Sequence, residues 1–371
     1  RDLSASDGRG DFRLLPDHKV FSLWFHDETT AKENDDGGWA WESILKGSAI
    51  KKKGEGRAVH ISDYVQDAVA LLKALPADCQ VTKTGNDPRT GAVIMTVGAN
   101  QDGYWTCDRM CKQIPGFIAI HELTSEPHRP GVFIFDNSTG HGAFEEGALL
   151  ANHIQLRPGG QQPILHDFHD DNGNLVHGAF REGDKLLFST NIYAPKTPQQ
   201  LQQEREAADN NPNKDAATAG LIGLPKGARQ LLLELQLWAV DGEKTLKVLE
   251  CKERRCCAVR VLSELNAFKE ELNKVEKLFK KAGHLCIFLP KYHPELNAIE
   301  RYWGYVKYLL RLHCEYSLRK MLEILPGALS GVPLDFIRGW SRVTWLYLEA
   351  YDEGLVDYLE CRDLKSWMTH R

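Results

Sequence analysis

Three carboxylates, Asp27, Asp136 and Glu300, stand after strand-length runs or at the start of a helix, and acids so placed could hold metal ions. Asp27 follows Val20-Phe21-Ser22-Leu23-Trp24-Phe25, a strand by its β-branched and aromatic content. Asp136 follows the apolar run Val132-Phe133-Ile134-Phe135, between Pro130-Gly131 and a polar loop. Acids at the carboxyl ends of inner strands lie where open α/β sheets form ligand sites. Glu300 comes after a strand-length run, Leu285 to Leu289, that Pro290 closes. It sits in the first turns of a helix whose Ile299, Trp303, Val306 and Leu310 share one face. Acids from three separate elements can bridge and flank a pair of divalent ions. Magnesium or manganese suits such oxygen donors and keeps water ligands. Taken singly, each acid has a plainer reading: a turn former at a strand end for Asp27, a dipole-favoured surface acid for Glu300.

Around these acids, Glu28, Asn137, His141, His293 and Asn297 are placed to orient ligands or substrate. Lys51-Lys52-Lys53 reads either as a solvated turn or as a phosphate contact. Arg254, Arg255, Arg260, Lys291 and Arg301 are further candidates for phosphate. Cys251, Cys256 and Cys257 crowd into seven residues, and Cys314 or His313 is an available fourth ligand for zinc. Buried thiols are the alternative for that cluster. Cys107 and Cys111 read as packing residues.

The chain has 371 residues, 42% hydrophobic and 26% charged, the composition of a soluble globular protein. It shows no span or signal pattern for a membrane. A net charge of −5 argues mildly against a nucleic-acid coat protein, although an acidic site and basic patches can coexist. Nine cysteines without a secretory signal read as reduced thiols or metal ligands. No Gly-x-Ser-x-Gly elbow, phosphate-binding Gly-Lys-Ser/Thr loop or His-Glu-x-x-His is present.

The strings His26-Asp27-Glu28-Thr29-Thr30, Asp136-Asn137 with His141, and His293-Pro294-Glu295-Leu296-Asn297-Ala298-Ile299-Glu300 resemble, in order, the three catalytic motifs of mariner-like DDE transposases. Asp102-Gly103-Tyr104-Trp105-Thr106 and Cys256-Cys257-Ala258-Val259-Arg260 resemble stretches of the fungal DDE-type superfamily endonucleases, and the likeness covers most of Val20 to Leu355. The resemblance implies an RNase H-like α/β fold, a mixed sheet flanked by helices. It implies a two-ion Mg²⁺ or Mn²⁺ nuclease or transposase acting on DNA, with Asp27 as the bridging ligand and Asp136 and Glu300 each holding one ion, and a nuclear location. Whether the unit is a homodimer stays open. The second reading is a domesticated descendant that binds DNA or a protein without cutting.

The expected organisation is a flexible segment 1–18, a first core part 19–156, an insertion 157–250, and a second core part with C-terminal helices, 251–371. The insertion is expected because Asp136 and Glu300 lie much farther apart than in mariner-like enzymes. Its Gln199 to Asp215 stretch is poor in apolar residues. Helices are expected over about Cys107–Ile120, Ala143–His153, Ala228–Trp238 and Phe268–Ala282, with a helical or mixed segment over Tyr64–Leu75.

Overall fold

The computed structural model describes residues 21–37, 54–66, 91–125, 129–138, 140–187, 220–240, 244–245 and 257–354. The chain divides into two compact units, Arg1–Ala143 with Lys274–Arg371, and Phe144–Asn273. The second encloses the 157–250 stretch read as an insertion.

The first unit is built on a mixed five-stranded sheet: β1 (Ser22–Lys32), β2 (Ala58–Val65), β3 (Val93–Thr96), β4 (Gly131–Phe135) and β5 (Leu285–Phe288). The strand order is β3-β2-β1-β4-β5. β1 pairs antiparallel with β2, and β2 with β3, as expected for strands close in sequence. β4 and β5 join in parallel, Phe25 opposite Ile134 and Phe135 opposite Phe288. Expected strand and observed strand differ at Tyr64. Tyr64 and Val65 continue β2 because both are buried, at 2% and 6% exposure, on opposite faces.

Helices cover both faces, and strand alternation decides what meets them. Trp24 packs with Phe133, Phe135 and Tyr64 against α1 (Cys107–Thr124) and α2 (Lys274–Lys281), through Met110, Ile114, Phe117, Val275 and Phe279. Thr106 caps α1, its hydroxyl accepting from the Arg109 amide. On the other face Phe25, Val59, Ile61 and Val65 pack against α3 (Ile299–Leu312), α4 (Leu318–Ser330) and α5 (Leu334–Asp352). Ile299, Tyr302, Trp303 and Val306 form the buried stripe of α3. Each such side chain contributes roughly 1.5–3 kcal/mol by leaving water.

The second unit has its own core, with Leu231, Leu232 and Ala258 fully buried beside Phe168, Trp238 and Phe268. The expected helix over Ala143–His153 is instead loop ending in a short 3-10 turn, Ala151–His153. Gly147 takes φ +79°, and a Cβ there would lie 2.7 Å from the Ile164 carbonyl oxygen; neither fits a helix interior. The helix expected over Ala228–Trp238 runs Gly227–Glu234. The one expected over Phe268–Ala282 is two, Asn266–Lys269 and α2.

Candidate metal centre

The sheet register brings two of the three acids abreast. β1 and β4 are parallel, and Phe25 faces Ile134, so two residues farther on Asp27 and Asp136 are neighbours. Beyond β4, the Leu289 amide donates to the Phe135 carbonyl at 2.8 Å and keeps the end of β5 alongside. The third acid arrives through Asn297. Its side-chain amide donates to the His26 carbonyl at 2.9 Å, one residue before Asp27, and ties the start of α3 to the centre of β1. Asn297 is buried, and its contact is with β1 backbone rather than with a carboxylate.

Asp27, Glu28 and Asp136 each offer an oxygen within 4.8 Å of the others. Asp27 is 9% exposed. Its carboxyl is pushed up to about 8 by burial, then by Glu300, and further by Glu28 and Asp136. Glu300 lies on the solvent-facing side of the first turn of α3. Its carboxyl is raised by desolvation and by Asp136. Glu300 therefore feels both aspartates, although its oxygens are outside the 4.8 Å group. Four acids converging in this way form a strongly cation-seeking pocket.

Glu28 points to the opposite face of β1 and has firm partners. Trp105 Nε1 donates to it at 2.7 Å, and His141 Nε2 lies 2.9 and 3.0 Å from its two oxygens. Burial alone would raise its carboxyl, but His26, His141 and Trp105 together hold it at about 2. His141 Nδ1 in turn lies 2.6 Å from Asp136 Oδ1. Burial opposes its charge, yet the two carboxylates raise His141 to about 10. This imidazolium strut between Glu28 and Asp136 fixes the Asp136 side chain.

A second group, His26, Glu28 and His141, also has metal-ligand spacing. The hydrogen-bond network argues against His26 Nε2 as a ligand, while Nδ1 is buried without a hydrogen-bond partner. Gln113 Nε2 donates to the Ser62 and Gly91 carbonyls, so its oxygen must face the Ser62 hydroxyl, which donates to it at 2.9 Å. The Ser62 oxygen is then left to accept from His26 Nε2, 3.0 Å away. That nitrogen carries the proton and has no free lone pair for a metal. Burial, reinforced by His141, lowers His26 to about 4, so the ring is neutral. The all-oxygen group, Asp27, Glu28 and Asp136, is the better match to a hard divalent ion, and Glu300 lies outside it.

The remaining expected residues separate clearly. Asn137 is exposed after β4, and His293 bonds Glu295 at 2.8 Å. Lys291 and Arg260 are exposed. Arg301 reaches the Glu295 carbonyl at 3.4 Å and lies over the Tyr347 ring. Lys51, Lys52, Lys53, Arg254, Arg255, Cys251 and Cys256 lie outside the described residues. Cys257 is a buried free thiol in the second unit. Cys314, in the first, donates to the Glu33 carbonyl at 3.6 Å. Among the described residues neither cysteine belongs to a three-ligand group.

His26, Trp105, Ser62 and Gln113 carry site roles that sequence reading missed. His26 and Trp105 stand inside the quoted strings His26-Asp27-Glu28 and Tyr104-Trp105-Thr106, which was the available signal. Ser62 and Gln113 left none. No family model matches this chain, and no curated protein matches it.

Proposed function

We propose that this chain is a metal-dependent DNA endonuclease or transposase of the DDE type, with an RNase H-like catalytic unit. What supports the reading is Asp27 and Asp136 side by side on two parallel strands, with Glu300 on a nearby helix close enough to push the Asp27 carboxyl up. The sheet order and mixed pairing support the fold assignment. Asp27, central and crowded by acids, would with Asp136 and Glu300 hold Mg²⁺ or Mn²⁺ ions. Bound there, the ions supply a nucleophilic oxygen at neutral pH and stabilise the leaving oxygen. The protein's own part is to hold the acids still: His141 and Glu28 orient Asp136, and Asn297 delivers Glu300. Lys291, exposed on the loop after β5, is the remaining candidate for a phosphate contact, since Arg301 meets the Glu295 carbonyl and the Tyr347 ring. A nuclear location and DNA as partner belong to the same proposal, as does the alternative of a binding module that no longer cuts.

Calorimetric titration of the full chain with MnCl₂ tests the centre without relying on turnover. Saturable binding is expected, weakened about tenfold or more by Asp136→Asn, by comparison with losses of 10–100-fold when only a ligand's orienting partner is removed. Unchanged binding in the variant would remove Asp136 from the site. Binding by neither protein would remove the metal centre.

A further inference from the structure

Tyr292 is held bare in the loop between β5 and α3. It is 96% exposed, the most exposed of the large hydrophobic side chains among the described residues. Its backbone sits at φ +69°, a left-handed conformation costly for a bulky residue. Two other described non-glycine residues share that conformation, and local contacts account for them. Tyr316 bonds Asp36 through its hydroxyl at 2.6 Å. Gln236 follows the end of a helix, its amide returning to Leu233. Tyr292 has no such compensating contact among the described residues.

The loop that carries it is firmly anchored. Leu289 is bonded to the residue before Asp136, and Asn297 to the residue before Asp27. Between them, Glu295 is held by His293, Tyr351, Thr344 and Arg301. Tyr292 is three residues past Leu289, so its Cα lies within about 11 Å of that anchor. That distance is about three steps along a nucleic-acid strand. Lys291, next in the chain, is an exposed cation.

We propose that Tyr292 is a stacking platform for an unpaired nucleobase within a few nucleotides of the phosphate at the metal centre, with Lys291 on the adjoining backbone phosphate. The proposal rests on the phosphodiester reading above. A rigid aromatic offered to solvent fits a base face, because every base has one. The strain is then the cost of aiming the ring outward.

The test is binding of the full chain to a fluorescein-labelled single-stranded oligonucleotide in EDTA, by anisotropy at low salt. Tyr292→Phe should bind within about twofold of the parent. Tyr292→Ala and Tyr292→Gly should bind on the order of tenfold more weakly. Glycine suits φ +69°, so the Gly variant should melt no lower than the parent, which excludes unfolding as the cause. An abasic oligonucleotide of equal length should bind the parent more weakly, but show no further loss with Tyr292→Ala. Parent-like affinity in the Ala and Gly variants overturns the proposal. So does equal binding of abasic and base-bearing strands by the parent, or binding of neither. Because the readout needs no metal, stacking can fail while cleavage stands, and the reverse.

Discussion

Asp27→Asn is expected to yield a protein more stable than its parent and inactive. The parent Asp27 is raised from 3.8 to about 8 by burial and by the neighbouring acids. In the unfolded chain it ionises near 4, so between those values the folded state holds a proton that the unfolded state has lost. Stability from this group is therefore full below about pH 4 and falls as the pH rises toward 8. Each pH unit is worth about 1.4 kcal/mol. Asparagine is neutral throughout and removes that slope. A gain of at least about 1 kcal/mol at pH 7 is expected in metal-free buffer, read as a higher melting temperature, and it should vanish at pH 4. Cleavage should fall on the order of 10³-fold, three factors of ten at 1.36 kcal/mol each, since an amide is a poor bridge between two cations. Added Mn²⁺ should raise the melting temperature of the parent and leave the variant unmoved. A destabilised Asp27→Asn at neutral pH would contradict the crowded-acid account.

Gln113→Leu should be the most damaging single change remote from the acids. Gln113 is 1% exposed and makes three hydrogen bonds, two to Ser62 and one to Gly91. Leucine keeps the bulk but orphans the buried partners, at about 1–3 kcal/mol each. A total loss of about 3–5 kcal/mol is expected by denaturant titration. The Ser62 hydroxyl would also be free to turn toward His26. The His26 imidazole should then show changed ring-nitrogen shifts in ¹⁵N NMR, which simple loss of packing would not produce. Gln113→Glu would offer oxygens where two carbonyls need a donor, so it should not rescue. A variant within about 0.5 kcal/mol of the parent would mean that the network does not set the His26 proton.

The legible parts of this molecule are those that local pattern encodes. Asp136 could be placed because it follows a run of buried strand, whereas Asp27, read as a strand end, lies within β1, which continues to Lys32. Glu300 could be placed because Ile299, Trp303 and Val306 recur at helical spacing. The three-strand antiparallel edge followed from closeness in sequence. Gln113 was illegible because its partners, Ser62 and Gly91, lie 51 and 22 residues away. A polar residue on an otherwise amphipathic helix looks like solvent-facing surface. The helix misread at Ala143–His153 failed at Gly147, where a close backbone approach overrode local propensity. Tyr64 was read as opening a helical or mixed segment because a strand buried on both faces loses its alternation.

Cleavage of duplex and single-stranded DNA by the full chain, with Mg²⁺ or Mn²⁺ and with Asp136→Ala beside the parent, addresses the central claim most directly. The account predicts metal-dependent strand breaks by the parent, abolished by EDTA and by the substitution. Equal cutting by both proteins, or none by either in both metals, would contradict it.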